Sequence, residues 1–245
     1  MKKIRLKENF MKTKILFYTL LISGLLLSTA ARAEKENREV PSFSEISFRI
    51  SGKLYLEQGS SQSVRVVAKS STLDEIITEV KGRSLVIRFR TNNIFRQTFN
   101  PGKVEVYVTV PEINALSVSG SGDIIADSKI QSRIIDLIVS GSGDISLEEL
   151  DAERVKAAVS GSGDILIEKG GVAEDFSVVV SGSGNVETLG FEAKHVDAKV
   201  AGSGSCTVHA IETLKARVAG SGGVRYKGDP QIDTSVLGSG KVIKL

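Results

Sequence analysis

From Leu116 onward the chain alternates apolar and polar residues in short runs, and each run turns at the same string, Gly-Ser-Gly. Two residues before each string stands a valine: Val118, Val139, Val159, Val180, Val200, Val218 and Val236. Two residues after it stand Ile124, Ile145, Ile165, Val186, Cys206, Val224 and Val242, again all apolar. Positions between these columns are polar or small, as at Asp136, Lys156, Ser177, Asp197, Lys215 and Asp233. A period of two marks strands with one buried face, and β-branched residues suit such a surface. The pattern predicts a repeating unit of strand, tight corner, strand and a looser return.

The strings begin at Gly120, Gly141, Gly161, Gly182, Gly202, Gly220 and Gly238, so successive steps are 21, 20, 21, 20, 18 and 18 residues. A period near 20 with strands on both sides of a corner is the signature of a solenoid. The expected fold is therefore all-β, a right-handed parallel β-helix of about seven coils, with equivalent strands roughly 4.8 Å apart. The corner glycines are each string's first and last residues: Gly120 and Gly122, Gly141 and Gly143, Gly161 and Gly163, Gly182 and Gly184, Gly202 and Gly204, Gly220 and Gly222, Gly238 and Gly240. A corner repeated at every level demands positive φ or close approach to the coil above, which glycine supplies cheaply. A phosphate-binding glycine loop would open a helix, whereas here a strand follows every string. The calcium-binding repeat of β-rolls has a nine-residue unit, about half this period.

Before the repeats, alternation also runs through Phe43–Ile50, Leu54–Glu57, Val64–Ala68, Ile76–Val80, Leu85–Phe89 and Val104–Val110. This stretch, 43–118, lacks the Gly-Ser-Gly corner and is less regular. It is read either as wider initial coils or as a small β-layer closing the first end, continuous with the repeat region 119–245. Residues 91–100 read as an inserted loop with Asn92, Asn93, Arg96 and Gln97 as its polar members. The N-terminus reads as an address: Lys12 and Lys14 precede an apolar run from Ile15 to Leu27, and Ala31-Arg32-Ala33 has the small-x-small cleavage pattern. Residues 1–33 are thus expected to be a secretory signal peptide, with 34–42 a flexible stub and no membrane span once the leader is removed. The competing reading is an uncleaved anchor, although the run is short for a bilayer.

Charge changes meaning with that leader. Residues 1–33 carry seven basic side chains and one acidic one, so the formal +3 of the whole chain becomes −3 without them. The basic balance that would suggest nucleic acid belongs to the leader, and the absence of tryptophan removes further stacking platforms, so no nucleic-acid partner is expected.

Several pieces together carry a resemblance. Phe43-x-x-Ile46-x-Phe48, Leu85-x-Ile87, Val106-x-Val108-x-Val110-Pro111 and Leu116-Ser-Val-Ser-Gly-Ser-Gly-Asp-Ile124, following a signal peptide, resemble the bacterial family called putative auto-transporter adhesin, head GIN domain. The resemblance spans about residues 40–245 and implies an exported cell-envelope or secreted protein of β-helical form, with adhesion as the named role. No run of alternating, aromatic-girdled strands of barrel length is legible, so self-export through an attached membrane barrel is not expected.

Candidate chemistry is sparse. Asp123, Asp144 and Asp164, followed by Asn185, occupy one position in successive coils, where neighbouring carboxylates repel by about 1 kcal/mol in water. The main reading is that turn N–H groups relieve the ladder; a shared cation bound by Asp123, Asp144 and Asp164 is the alternative. His195 and His209 have no partner at metal-ligand spacing. The serines recur with the corners and lack the base and acid of a nucleophile. Cys206 occupies an apolar column and is expected to be a buried, inert thiol. No cofactor and no catalytic residue are assigned. The expected function is a non-catalytic binding or structural module whose partner is a surface glycan, a protein or a second copy. A carbohydrate-active β-helix enzyme, a lyase or hydrolase, is the competing class, by fold analogy.

Overall fold

A computed structural model describes residues 33–90 and 100–245; the expectations for residues 1–32 and for the 91–99 part of the inserted loop fall outside it. About 74% of the described residues are strand and 2% helix, arranged as a β-solenoid of about six turns. Seven corners bound six intervals, which reconciles this count with the seven strings in the sequence. The first half holds β1 (Ala33–Asn37), β2 (Glu45–Arg49), β3 (Lys53–Gln58), β4 (Ser63–Lys69), the single-turn helix α1 (Ser70–Leu73), β5 (Ile76–Lys81), β6 (Ser84–Phe89) and β7 (Glu105–Val110). The repeat half holds β8 (Ala115–Gly120), β9 (Asp123–Gly141), β10 (Ile145–Gly161), β11 (Ile165–Gly170) and β12 (Val172–Gly182). It continues through β13 (Asn185–Gly202), β14 (Ser205–Gly220), β15 (Gly223–Lys227), β16 (Gln231–Gly238) and β17 (Lys241–Lys244).

The repeat half stacks in the register that its glycines dictate. Val118 pairs with Val139, Val139 with Val159, and so on to Val236, always in parallel. The second apolar column runs likewise from Ile124 to Val242. The two glycines of each corner do different work. The first has φ between 110° and 130°, a region closed to most side chains. The second is crowded: a Cβ on Gly143 would lie 2.0 Å from the Gly122 carbonyl oxygen and 2.8 Å from Val118 Cγ1. Between them, Ser142 N and Gly143 N both donate to the Gly120 carbonyl, at 2.8 and 3.0 Å.

The return is not loose. In β10 the buried residues are Ile145, Leu147, Leu150, Ala152, Val155, Ala157 and Val159. They step by two along the flats and by three at two bends, so the return is itself a hydrogen-bonded strand, with Leu150 paired to Ile130 below and Gly170 above. Where the period drops from 20 to 18, the loss is absorbed on this side by register shifts between Glu187 and His195, and the corners stay aligned.

The first half mixes parallel levels with an antiparallel layer. β2 and β3 form a coil directly beneath the repeats, with Phe48 under Val118 and Leu54 under Ile124. β6 and β7 form a further parallel level below it, with Leu85 paired to Ile46 and Val106 to Leu54. β4 and β5 then run antiparallel to β7 and β6 as the outermost layer. The chain therefore lays down one coil, leaves it to build two outer levels, and returns at β8 on the coil's other side. The stretch 34–42 carries more structure than a stub: β1 pairs with β4, and Arg38 N donates to the Val64 carbonyl at 2.8 Å. One continuous core runs from Phe43 to Tyr226.

Candidate functional site

The aspartate ladder forms as a column, and its oxygens face backbone N–H groups. Asp144 Oδ1 accepts from Asp164 N at 2.8 Å, and Asp164 Oδ1 accepts from Asn185 N at 2.7 Å and from Asn185 Nδ2 at 3.0 Å. Asn185 Oδ1 in turn accepts from Ser205 N at 3.2 Å and Ser205 Oγ at 2.7 Å. The donors are those of the next coil, not of each aspartate's own turn as side-chain turn preferences suggest. Asp123, at the lower end, is pushed above the usual carboxylate range by burial; the Asp144 N–H opposes this, the Asp144 charge adds to it, and Lys53, paired with Asp123 on the adjacent strand, lowers it. No group of three or more acidic, histidine or cysteine side chains suited to a metal occurs among the described residues. Asp123, Asp144 and Asp164 thus act as inter-coil hydrogen-bond acceptors.

The other candidates stay dispersed. His195 Nδ1 lies 3.0 Å from Thr213 Oγ1, with Nε2 4.0 Å from carboxylate oxygens of Glu174 and Glu212. His209 Nδ1 is 3.4 Å from Glu192 and is mostly buried, deeper than an outward position suggests. Asp136, Lys156, Ser177, Asp197, Lys215 and Asp233 do line up in register on one outer face. Their ionic contacts run to neighbours, Asp197 to Lys199 and Asp233 to Arg217, as on a solvated surface. Cys206 is buried and free, and burial pushes its thiol up to about 12.

A concave site appears elsewhere, where the first half meets the repeats. Outward positions of four strands fall in one row: Arg65 on β4 beside Tyr107 on β7, Tyr107 beside Tyr55 on β3, and Tyr55 beside Ile125 on β9. The tyrosine rings stack at 5.1 Å with 19° between planes, and the Arg65 guanidinium lies 4.9 Å from the Tyr107 centroid. A second row on the same face carries Ser63, Thr109 and Glu57. Residues 37–40 form one bank over these rows. Gln62 holds that strap, its Nε2 donating to the carbonyls of Val40 and Pro41 at 3.2 and 3.1 Å and its Oε1 accepting from Phe43 N at 3.2 Å. Arg38 ties the strap to the outer layer through the Leu73 carbonyl at 2.8 Å and pairs with Glu36, on β1 just before it, at 3.0 Å. The result is a surface groove of about 830 Å³ that also takes in Glu39, Asp127 and Ser128. That volume lies within the range of small-ligand sites, about 300–1,000 Å³.

None of these groove residues stands out in the sequence. Alternation does turn Tyr55 and Tyr107 outward, but they are 52 positions apart in a region with no repeat to set the register. The usable signal is their shared outward parity, in a chain with only four tyrosines.

Similar folds are known. The chain has a TM-score of 0.80 and 23% identity to a putative adhesin from Bacteroides fragilis, covering 88% of this chain and 98% of that one. It has a TM-score of 0.74 and 23% identity to a putative lipid binding protein from Parabacteroides distasonis, with the same coverage. For a putative adhesin from Parabacteroides merdae the TM-score is 0.69 at 20% identity, covering 88% and 97%. At these identities the likeness speaks for the fold alone. No curated protein matches the chain. The family described as "Putative auto-transporter adhesin, head GIN domain" matches residues 42–230, and with that span, its glycine corners and its stacked coils, the chain belongs to this family.

Proposed function

We propose that this is an exported, non-catalytic binding module of the bacterial envelope or its surroundings, which holds its partner in the groove over Tyr55 and Tyr107. The observation that carries the reading is the groove itself: a strap clamped by Gln62 and Arg38 over an ordered row of arginine, tyrosine and isoleucine. The acids that would suit catalysis instead spend their oxygens on backbone N–H groups. The family and the similar folds, named as putative adhesins, support a binding role, and the leader-like N-terminus supports export. In this reading the signal peptide is cleaved after Ala33, leaving Glu34, within β1, as the start of the mature chain.

Three measurements test it. N-terminal sequencing of the protein recovered outside the cytoplasm should begin at Glu34; a start at Met1 or Met11 refutes the export route. A glycan and protein array probed with the purified protein should give partners lost on Tyr55→Ala and retained on Lys156→Ala, which lies on a different outer column. Shortening of a polysaccharide by the purified protein, abolished by changing Asp123, Asp144 or Asp164, would make it an enzyme and overturn the proposal.

A further inference from the structure

Resting on the groove as the binding site, we propose that its ligand is a neutral, hydroxyl-rich oligosaccharide, not a charged polymer or a lipid surface. Most of the ring faces are already used: Tyr107 lies between Arg65 and Tyr55, and Ile125 holds the next strand position beside Tyr55. What the two tyrosines offer a ligand is therefore a ridge of ring edges with two phenol hydroxyls, beside the polar row of Ser63, Thr109 and Glu57. Aromatic edges carry the positive part of the ring quadrupole and favour oxygen atoms over hydrocarbon chains.

Charge narrows the class. Glu39, Glu57 and Asp127 line the groove, and none has a hydrogen-bond or ion-pair partner among the described residues. Three free carboxylates repel an anionic ligand and demand hydrogen-bond donors, since an ionised carboxylate only accepts. A cation would supply donors, but over the floor it would meet the positive ring edges of the two tyrosines and the Arg65 guanidinium stacked on Tyr107. Uncharged hydroxyl donors satisfy the carboxylates without that cost, and a sugar's own oxygens can accept from the phenols and from Arg65. The floor also fits a linear polymer: Arg65, Tyr107, Tyr55 and Ile125 stand on adjacent strands, roughly 4.8 Å apart, so successive sugars can meet successive strands.

The test is calorimetric titration of the purified protein with maltohexaose, cellohexaose and xylohexaose as neutral probes. Hexagalacturonate serves as the anionic probe, hexalysine as the cationic one, and vesicles of phosphatidylethanolamine with phosphatidylglycerol as the lipid one. The expected result is binding of at least one neutral oligosaccharide, weakened at least about tenfold by Tyr55→Ala or Tyr107→Ala, as for a buried aromatic anchor. Glu57→Gln, an exposed change that leaves the fold alone, should weaken it severalfold. If hexagalacturonate, hexalysine or vesicles bind and the neutral sugars do not, and Tyr55→Ala abolishes that binding, the ligand class is wrong while the groove stands. If a neutral sugar binds with affinity indifferent to Tyr55→Ala, Tyr107→Ala and Glu57→Gln, the groove falls as well. Absence of binding by every neutral probe overturns the inference. Circular dichroism of each variant separates lost contacts from lost fold.

Discussion

The two ends of the solenoid are built from the same parallel strands and end differently. At the first end, β4 and β5 reverse direction and lie across the lowest parallel level, so Val106, Leu54 and Leu85 are completely buried. On the outermost strand, Glu79 bonds both Lys81 and Arg88, placing charge where an exposed edge would invite pairing. At the last end nothing among the described residues stacks on β16. Val236 is 44% exposed and Ile232 47%, whereas Val218, one level earlier in the same column as Val236, is 2% exposed. A column residue is therefore buried by the coil above it as much as by its own strand. Two side chains of one type at equivalent positions do not carry equal stability, which is the nearest-neighbour logic of repeat proteins.

The sharpest way to break the comparison is at the junction between cap and repeats. Phe48 is fully buried beneath Val118 and against the corner at Gly122, so Phe48→Ala should cost about 3–5 kcal/mol. Urea unfolding followed by circular dichroism measures this; a loss below about 1 kcal/mol would mean that the capped end is not packed as described. The same experiment sharpens the contrast along one column. Val200→Ala, in a closed level, should cost about 2 kcal/mol, while Val236→Ala, in the open one, should cost less than about 0.5 kcal/mol. Equal losses would show that something covers the last coil in solution.

A smaller, pH-dependent effect belongs to Cys206, in the second column and inside the closed stack. Its thiol is raised from 9.0 to about 12 by burial. The folded state thus holds a proton that the unfolded chain releases, and the resulting stability is whole below pH 9 and declines by up to about 1.4 kcal/mol per pH unit as pH rises toward the folded value. Cys206→Val should remove that alkaline component and leave neutral stability nearly unchanged. In the native protein a thiol reagent should label Cys206 far more slowly than in urea; equal rates would contradict the register of β13, β14 and β15.

The repeat region was legible in the chain because it is its own ruler. Identical corners set the register, and alternation from each corner says which side chains enter the core; even Cys206 could be placed by its column. The ladder of Asp123, Asp144 and Asp164 was legible as a column too. Its hydrogen-bond donors were not, because side-chain patterns in turns favour local N–H groups while the stack offers those of the next coil. In the first half the strands were visible but their order was not. β2 and β3 pair with strands both before and after them in space, and only the packed structure shows that β4 to β7 were laid outside that first coil.

The sequence alone determined the all-β solenoid, its corners and its two inward columns, since each follows from interactions within one repeat and its copies. The tertiary structure alone decided the antiparallel cap, the meeting of Arg65, Tyr107, Tyr55 and Ile125, the strap over them and the exposure of Val236. Each of these depends on which non-repeating segment lies at which level, a choice made by long-range burial and pairing that leaves no periodic trace in the chain.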